Sequence, residues 1–155
     1  MKNQKINEII NKAEDICAHS GGRLTEKRKR ILELLLRSKS PLSAYEVANA
    51  YNSESETSMP AMSVYRILDF LETEHLVHKL TSANKYVACS HITCSHAHEV
   101  PQFLICGKCQ NVKEIAISKT IINELDIQVA NAGYKLLNSQ LELQCLCEQC
   151  LENAA

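Results

Sequence analysis

Two Cys-x-x-Cys pairs constrain the second half of this chain more than any other feature. They are Cys106-Gly107-Lys108-Cys109 and Cys147-Glu148-Gln149-Cys150, and 37 residues separate them. Two residues between cysteines let one turn direct both sulfurs at one ion, and two such pairs complete the tetrahedral thiolate set that suits Zn²⁺. The spacing predicts a structural zinc site within a folded unit. Cys145 is an alternative ligand, but only Cys147 has the two-residue spacing to Cys150, so we expect Cys145 to be a packing residue.

The cysteine content also bears on the cellular compartment. The chain has 8 cysteines in 155 residues, which suits either a disulfide framework or metal sites. Its N-terminus lacks the apolar core of a secretory signal, and no run of eighteen apolar residues encodes a membrane span. We therefore expect a cytoplasmic protein without membrane association, whose reduced thiols bind metal. A redox protein is the competing class, although two Cys-x-x-Cys pairs fit it poorly.

A basic segment lies in the first half of the chain. Residues 21–40 carry seven basic and two acidic side chains, a net charge of +5, although the whole chain carries −1. Most charge runs are solvated helix faces, so this segment alone is weak support for nucleic-acid binding.

Helix signals organise the residues around this segment. Gly21-Gly22 ends a first helix, Thr25 caps a second, and Ser43 with Glu46 forms a capping box before a third. Pro60 suits the first turn of a fourth helix. Extended runs over 76–80 and 85–89 then indicate a β-hairpin. The last three of these helices, followed by the hairpin, predict a winged helix-turn-helix.

This motif makes the basic segment a candidate DNA surface. Arginine has a forked donor pair that matches guanine O6 and N7, and hydroxyl groups reach phosphates or bases. For Tyr45, at the start of the third helix, a half-buried packing role is an equal alternative. The candidate DNA-contact residues are Arg23, Lys27, Arg28, Tyr45, Ser63, Tyr65 and Arg66.

The second half mixes strands with one helix. Residues 103–106 and 112–117 are predicted strands on either side of the first cysteine turn, and residues 141–147 alternate as a half-buried strand. Between them, Ser118 can cap a helix that Gly133 stops. We expect its apolar residues to be buried; these are Ile121, Ile122, Leu125 and Val129.

Several of these motifs resemble the ferric-uptake-regulator family, and the resemblance covers nearly the whole chain. Those of the winged helix are Arg23-Leu24-Thr25, Ser43-Ala44-Tyr45, Ser63-Val64-Tyr65-Arg66 and Leu68-Asp69-Phe70-Leu71, and the two cysteine pairs resemble the family's structural zinc site. Three further segments resemble the zinc-uptake-regulator branch of this family. They are Val77-His78-Lys79, Tyr86-Val87-Ala88-Cys89 and Val112-Lys113-Glu114.

The resemblance implies a second, regulatory zinc and hence about two Zn²⁺ per subunit. Its ligands would be His78, Cys89, Glu114 and one histidine of the 91–98 segment, for which we favour His98 and keep His96 as the alternative. A thiolate with imidazole and one carboxylate favours zinc over iron or manganese. The roles of Cys94 and His91 stay open.

The resemblance also implies a homodimeric, zinc-responsive transcriptional repressor that binds palindromic operator DNA and controls zinc uptake genes. The expected fold is α+β, with a winged-helix domain over residues 1–82, a hinge over 83–92, and a C-terminal α/β dimerisation and metal-binding domain over 93–155. No small organic substrate or enzymatic activity is expected. The alternatives are a family sibling that senses another metal or peroxide and, less favoured, a zinc-dependent hydrolase, for which His98-Glu99 begins an HExxH motif without its second histidine.

Overall fold

The computed structural model describes residues 2–94 and 101–153, which fall into two compact units, Met1–Ser95 and His96–Ala155. The first unit contains four helices and a hairpin. In chain order they are α1 (Lys2–His19), α2 (Glu26–Arg37), α3 (Ala44–Glu54), α4 (Ala61–Thr73), β1 (Val77–Leu80) and β2 (Lys85–Ala88).

The predicted helix signals are confirmed in this unit. The Thr25 hydroxyl accepts a hydrogen bond from the Arg28 amide at the start of α2, and Ser43 and Glu46 form a complete capping box at α3. Pro60 is the N-cap of α4. Gly21 adopts a positive φ of 82° after α1, a conformation that glycine takes without steric cost. These local interactions set where each helix begins or ends.

The hairpin is also confirmed, and it forms the wing of a winged helix-turn-helix. Strands β1 and β2 pair in antiparallel fashion from Val77 with Ala88 to Leu80 with Lys85. An isolated bridge between Leu42 and Tyr86 attaches the wing to the start of α3. Because β2 lies within the first unit, the segment 83–92 that we assigned to a hinge includes a strand of the wing.

One hydrophobic core unites the first unit. The inner faces of all four helices contribute to it, and so does the wing. Its fully buried side chains include Ile31, Leu32, Val64, Leu68, Leu71 and Val77. This core gives α4 a fixed support, so its outward face is presented by a rigid element.

The second unit has the expected order of two strands, a helix and a third strand, and it ends in a short helix that was not predicted. It contains β3 (Gln102–Cys106), β4 (Val112–Ile115), α5 (Lys119–Asn131), β5 (Glu142–Cys145) and α6 (Glu148–Glu152). The sheet order is β4-β3-β5, with β3 antiparallel to β4 and parallel to β5. Parallel strands need a crossover connection, and α5 lies in the segment that provides it. Gly133 ends α5 with a positive φ of 84°, as predicted.

The predicted burial of α5 is wrong in the single chain. None of its residues is buried, although Ile121, Ile122, Leu125 and Val129 were expected to be. Ile121 and Ile127 are more than half exposed. The apolar pattern identifies one face of the helix but not what covers it, and the described residues of this chain leave that face open.

Candidate metal centres and DNA-contact surface

The second unit brings the four cysteines of the two pairs together. The sulfurs of Cys106, Cys109, Cys147 and Cys150 all lie within 4.8 Å of one another. Cys106 is the last residue of β3, and Cys109 belongs to the turn that follows it. Cys147 is the N-cap of α6, and Cys150 lies within that short helix. The two pairs come together because β3 and β5 are parallel neighbours, so the cysteine segments that follow these strands lie at the same end of the sheet.

Backbone amides around the cluster make one sulfur acidic. N–H groups of Cys109, Cys147 and Lys108 lower the pKa of Cys106 to about 6. The Cys147 amide, for example, donates to the Cys106 sulfur over 3.4 Å. Hydrogen bonds to a thiolate favour its charged form, which is also the form that binds metal.

Cys109 and Cys150 hold their protons more tightly than free thiols do, and for Cys109 burial and hydrogen bonds with neighbouring sulfurs raise the pKa. The hydrogen bond with Cys147 is the largest effect that raises the pKa of Cys150 to about 12, and burial and the neighbouring sulfurs add to it. The Cys109 and Cys147 sulfurs lie 3.7 Å apart. Four thiolates at such distances repel one another unless a cation lies among them, so the donor set fits Zn²⁺.

Cys145 lies outside this cluster. It is half-buried on β5 and pairs in register with Cys106, while its carbonyl accepts a hydrogen bond from the Gly107 amide over 2.9 Å. Its backbone therefore supports the first cysteine turn.

The first unit contains a second candidate metal site, in which a thiol and an imidazole lie close together on the wing. His78 lies on β1 and Cys89 directly follows β2, and their ligand atoms lie within 4.8 Å of each other. Both residues are buried. The Cys89 amide donates to the Leu76 carbonyl over 2.9 Å, which fixes the thiol at the base of the hairpin. The pair can hold a soft or borderline metal ion.

The remaining predicted ligands are distributed as follows. Glu114 lies on β4 of the second unit and is half-buried. His96 and His98 lie outside the described residues. His91 is half-buried next to Cys89, whose sulfur accepts from the His91 amide over 3.4 Å, and Cys94 is exposed.

The outward face of α4 carries the predicted DNA-reading residues. Arg66 is exposed, and Ser63 and Tyr65 are half-exposed. Tyr45, at the start of α3, is 65% exposed and meets the Tyr65 ring edge-on with centroids 6.3 Å apart. This face offers guanidinium and hydroxyl donors from a rigid helix, which is what groove recognition requires.

Asn52, which belongs to none of the predicted sites, holds the segment before α4. Its side chain accepts from the Met59 amide over 2.6 Å and donates to the Met59 carbonyl over 3.2 Å. Asn52 lies in the last turn of α3. An asparagine near the end of a helix is the only sequence signal of this clamp, and such residues are common.

The basic residues near α2 differ in their surroundings. Arg23 and Lys27 are exposed. Arg28, by contrast, is half-buried, and its guanidinium carbon lies 3.6 Å from the centre of the Phe70 ring on α4. All three were predicted to contact DNA, and no sequence pattern indicated the Phe70 contact.

No helix within residues 2–94 and 101–153 has the length and apolar character that a membrane span requires.

Comparison with known proteins gives a consistent result over almost the full length of the chain. Residues 19–144 match the Ferric uptake regulator family. The Zinc uptake regulation protein of Escherichia coli (strain K12) is 33% identical over 152 residues, which cover 98% of this chain and 86% of that protein.

Two solved structures are similar at comparable identity. A zinc uptake regulator complexed with zinc and DNA superposes with a TM-score of 0.82 at 30% identity, covering 96% of this chain and 97% of the other. The crystal structure of holo XcZur gives a TM-score of 0.78 at 31% identity, covering 94% and 99%. Together with the family match, these similarities show that this chain belongs to the ferric uptake regulator family.

Proposed function

We propose that this protein is a zinc-responsive transcriptional repressor, which binds palindromic operator DNA as a homodimer when zinc-loaded and controls zinc uptake genes in the cytoplasm. The relatives support this assignment, since the E. coli protein is named for zinc uptake regulation and a solved neighbour is complexed with zinc and DNA. The protein acts as a regulator and not as an enzyme.

The observation that carries the proposal is the His78–Cys89 pair on the wing. A metal-binding thiol and imidazole, with ligand atoms within 4.8 Å, are built into the hairpin of a DNA-reading unit. When both side chains bind one ion, the two strands of the wing are held together at their base. Metal binding therefore acts on the wing, which directly follows α4, the helix that carries the predicted DNA-reading residues.

We assign two zinc ions to each subunit. Cys106, Cys109, Cys147 and Cys150 hold the structural ion. His78 and Cys89 hold the regulatory ion, and the sequence resemblance adds Glu114 with His98 or, alternatively, His96. A zinc ion supplies a divalent charge that neutralises thiolate and carboxylate ligands. Ligands from both units would restrict the spacing of the two DNA readers in a dimer, which must match the half-site spacing of a palindrome.

Operator recognition is assigned to α4 and its surroundings. Arg66 reads a base, with Ser63 and Tyr65 beside it. Tyr45, Arg23 and Lys27 contact the phosphate backbone. Neutralised phosphates account for most of the affinity and make it depend on salt concentration.

The open face of α5 supports a homodimer through the second unit. None of its apolar side chains (Ile121, Ile122, Leu125 and Val129) is buried in the single chain, and Ile121 is more than half accessible. An apolar helix face that is left unburied in one chain is typical of a face that another subunit covers.

A zinc titration of DNA binding tests the assignment. A palindromic duplex is first selected from a random library by the zinc-loaded wild-type protein. Fluorescence anisotropy then measures its affinity across buffered free zinc concentrations for the wild type, Cys89→Ser and Cys94→Ser. Cys94 provides the matched control, because it is an exposed thiol only five residues away.

We expect Cys89→Ser to remain a folded dimer whose operator affinity at high zinc falls roughly 5- to 150-fold, the usual range of allosteric coupling. Cys94→Ser should respond to zinc like the wild type. Equal operator affinity of Cys89→Ser and wild type would exclude the wing pair as the sensor. A stronger response of the wild type to Fe²⁺ or Mn²⁺ would make the protein a sibling with another effector.

A further inference from the structure

We propose that Arg28 is a positioning residue of the DNA-contact surface: it holds Arg23 in place through the Arg23 backbone carbonyl and does not itself contact a phosphate. The proposal rests on the proposed DNA binding and changes the role of one of the predicted phosphate contacts. It assigns the guanidinium of Arg28 to a bridge between α2, the loop before it and α4.

The Arg28 side chain is engaged on two sides within its own unit. Its guanidinium carbon lies 3.6 Å from the centre of the Phe70 ring, so the charged group lies over the aromatic face. Its Nη1 group donates a hydrogen bond to the Arg23 carbonyl over 2.6 Å. A stacked guanidinium can still donate in its own plane, which a lysine ammonium cannot reproduce. These two contacts hold the Arg28 guanidinium in one orientation against its own unit.

The loop that Arg28 holds is attached to α4 at a second point. The Ser20 hydroxyl lies 2.6 Å from the Glu74 carboxylate at the end of α4. The loop also passes close to Phe70, because a Cβ added at Gly22 would lie only 3.3 Å from the ring. Residues 20–23 are thus held against the same helix that carries Arg66. Arg28 connects the loop to the reading helix through Phe70.

Arg23 is the residue that benefits from this arrangement. It is exposed at the end of the held loop, and its carbonyl is the acceptor of the Arg28 hydrogen bond. A side chain on an anchored backbone loses less conformational freedom when it binds a phosphate than one on a free loop. Because the Arg23 backbone is fixed relative to α4, Arg23 can contact a phosphate while Arg66 on α4 contacts a base at the same position of the protein on the duplex.

Salt dependence separates a positioning residue from a phosphate contact. Each neutralised phosphate contributes about 0.9 to the slope of log affinity against log salt. The selected operator duplex is titrated at several salt concentrations with the zinc-loaded wild type, Arg23→Gln, Arg28→Gln, the double variant and Phe70→Leu. Lys12→Gln, on the exposed surface of α1, controls for the loss of one positive charge.

We expect Arg23→Gln, Arg28→Gln and the double variant to lower the slope by the same amount, about 0.9 per subunit, because all three lose one contact. Phe70→Leu should reproduce Arg28→Gln, although it keeps every charge. Lys12→Gln should match the wild type.

Three results would overturn the proposal. A slope lowered by about 1.8 per subunit in the double variant would make Arg28 a phosphate contact in its own right. An unchanged slope in Arg23→Gln would leave Arg28 nothing to position. Wild-type affinity and slope in Arg28→Gln, with only a lower melting temperature, would make its role purely structural. Failure of the wild type to select any duplex refutes the proposed function instead, and that result is seen before any variant is compared.

Discussion

Breaking the four-cysteine cluster should unfold the second unit and leave the first unit intact. The reason is the small core of the second unit. Among residues 101–153 the buried side chains are Gln102, Phe103, Ile105 and Cys106. Burying the two large apolar ones contributes about 1.5–3 kcal/mol each. A structural zinc contributes roughly 10–16 kcal/mol, so the metal stabilises this unit more than its core does, and Cys109→Ser removes one of the four ligands.

Hydrogen exchange by mass spectrometry, combined with zinc analysis and light scattering, measures this effect. In Cys109→Ser we expect one zinc fewer per subunit, rapid exchange over the three strands of the second unit, and loss of the dimer. Helices α2 and α4 should keep their protection, because the large core of the first unit does not include the cluster. Cys145→Ser is the matched control, since it removes a neighbouring thiol that lies outside the cluster.

Two results would refute this reasoning. If Cys109→Ser keeps its zinc and the protection of β3–β5, the cluster is not what stabilises the unit. If Cys145→Ser loses zinc as Cys109→Ser does, the ligand from the second cysteine segment has been assigned to the wrong residue.

The other predictions concern one DNA contact and one buried amide. Arg66→Ala should weaken operator binding by about 1–3 kcal/mol if this side chain reads guanine, and the same loss on a scrambled duplex would make it a phosphate contact. Gln102→Ala should destabilise the second unit by about 2 kcal/mol, because its amide makes two hydrogen bonds of about 1 kcal/mol each, to the Ser139 carbonyl and the Leu141 amide. Urea unfolding at fixed free zinc measures this, and the exposed Gln144→Ala should change stability by less than about 0.5 kcal/mol.

The sequence alone determined the features that depend on residues a few positions apart. Thr25 with Arg28, Ser43 with Glu46, and the Cys-x-x-Cys turns all act within three residues, so their spacing is visible in the sequence. Capping residues and two extended runs likewise predicted the helices and the wing. One local interaction differed: Ser118 is the N-cap of α5, but its side chain makes no capping hydrogen bond.

Only the tertiary structure decided the features that depend on distant residues. The bridge from Arg28 to Phe70 and the clamp from Gln102 to residues 139 and 141 join positions about 40 apart in the sequence. Residue types at these positions permit many partners, and packing selects one of them. For α5 the sequence predicted burial, but its apolar face has no covering partner among the described residues of the single chain. Short-range hydrogen bonds and metal-ligand spacing depend on residues that are close together in the sequence. The distant partner of a side chain depends on how the whole chain packs.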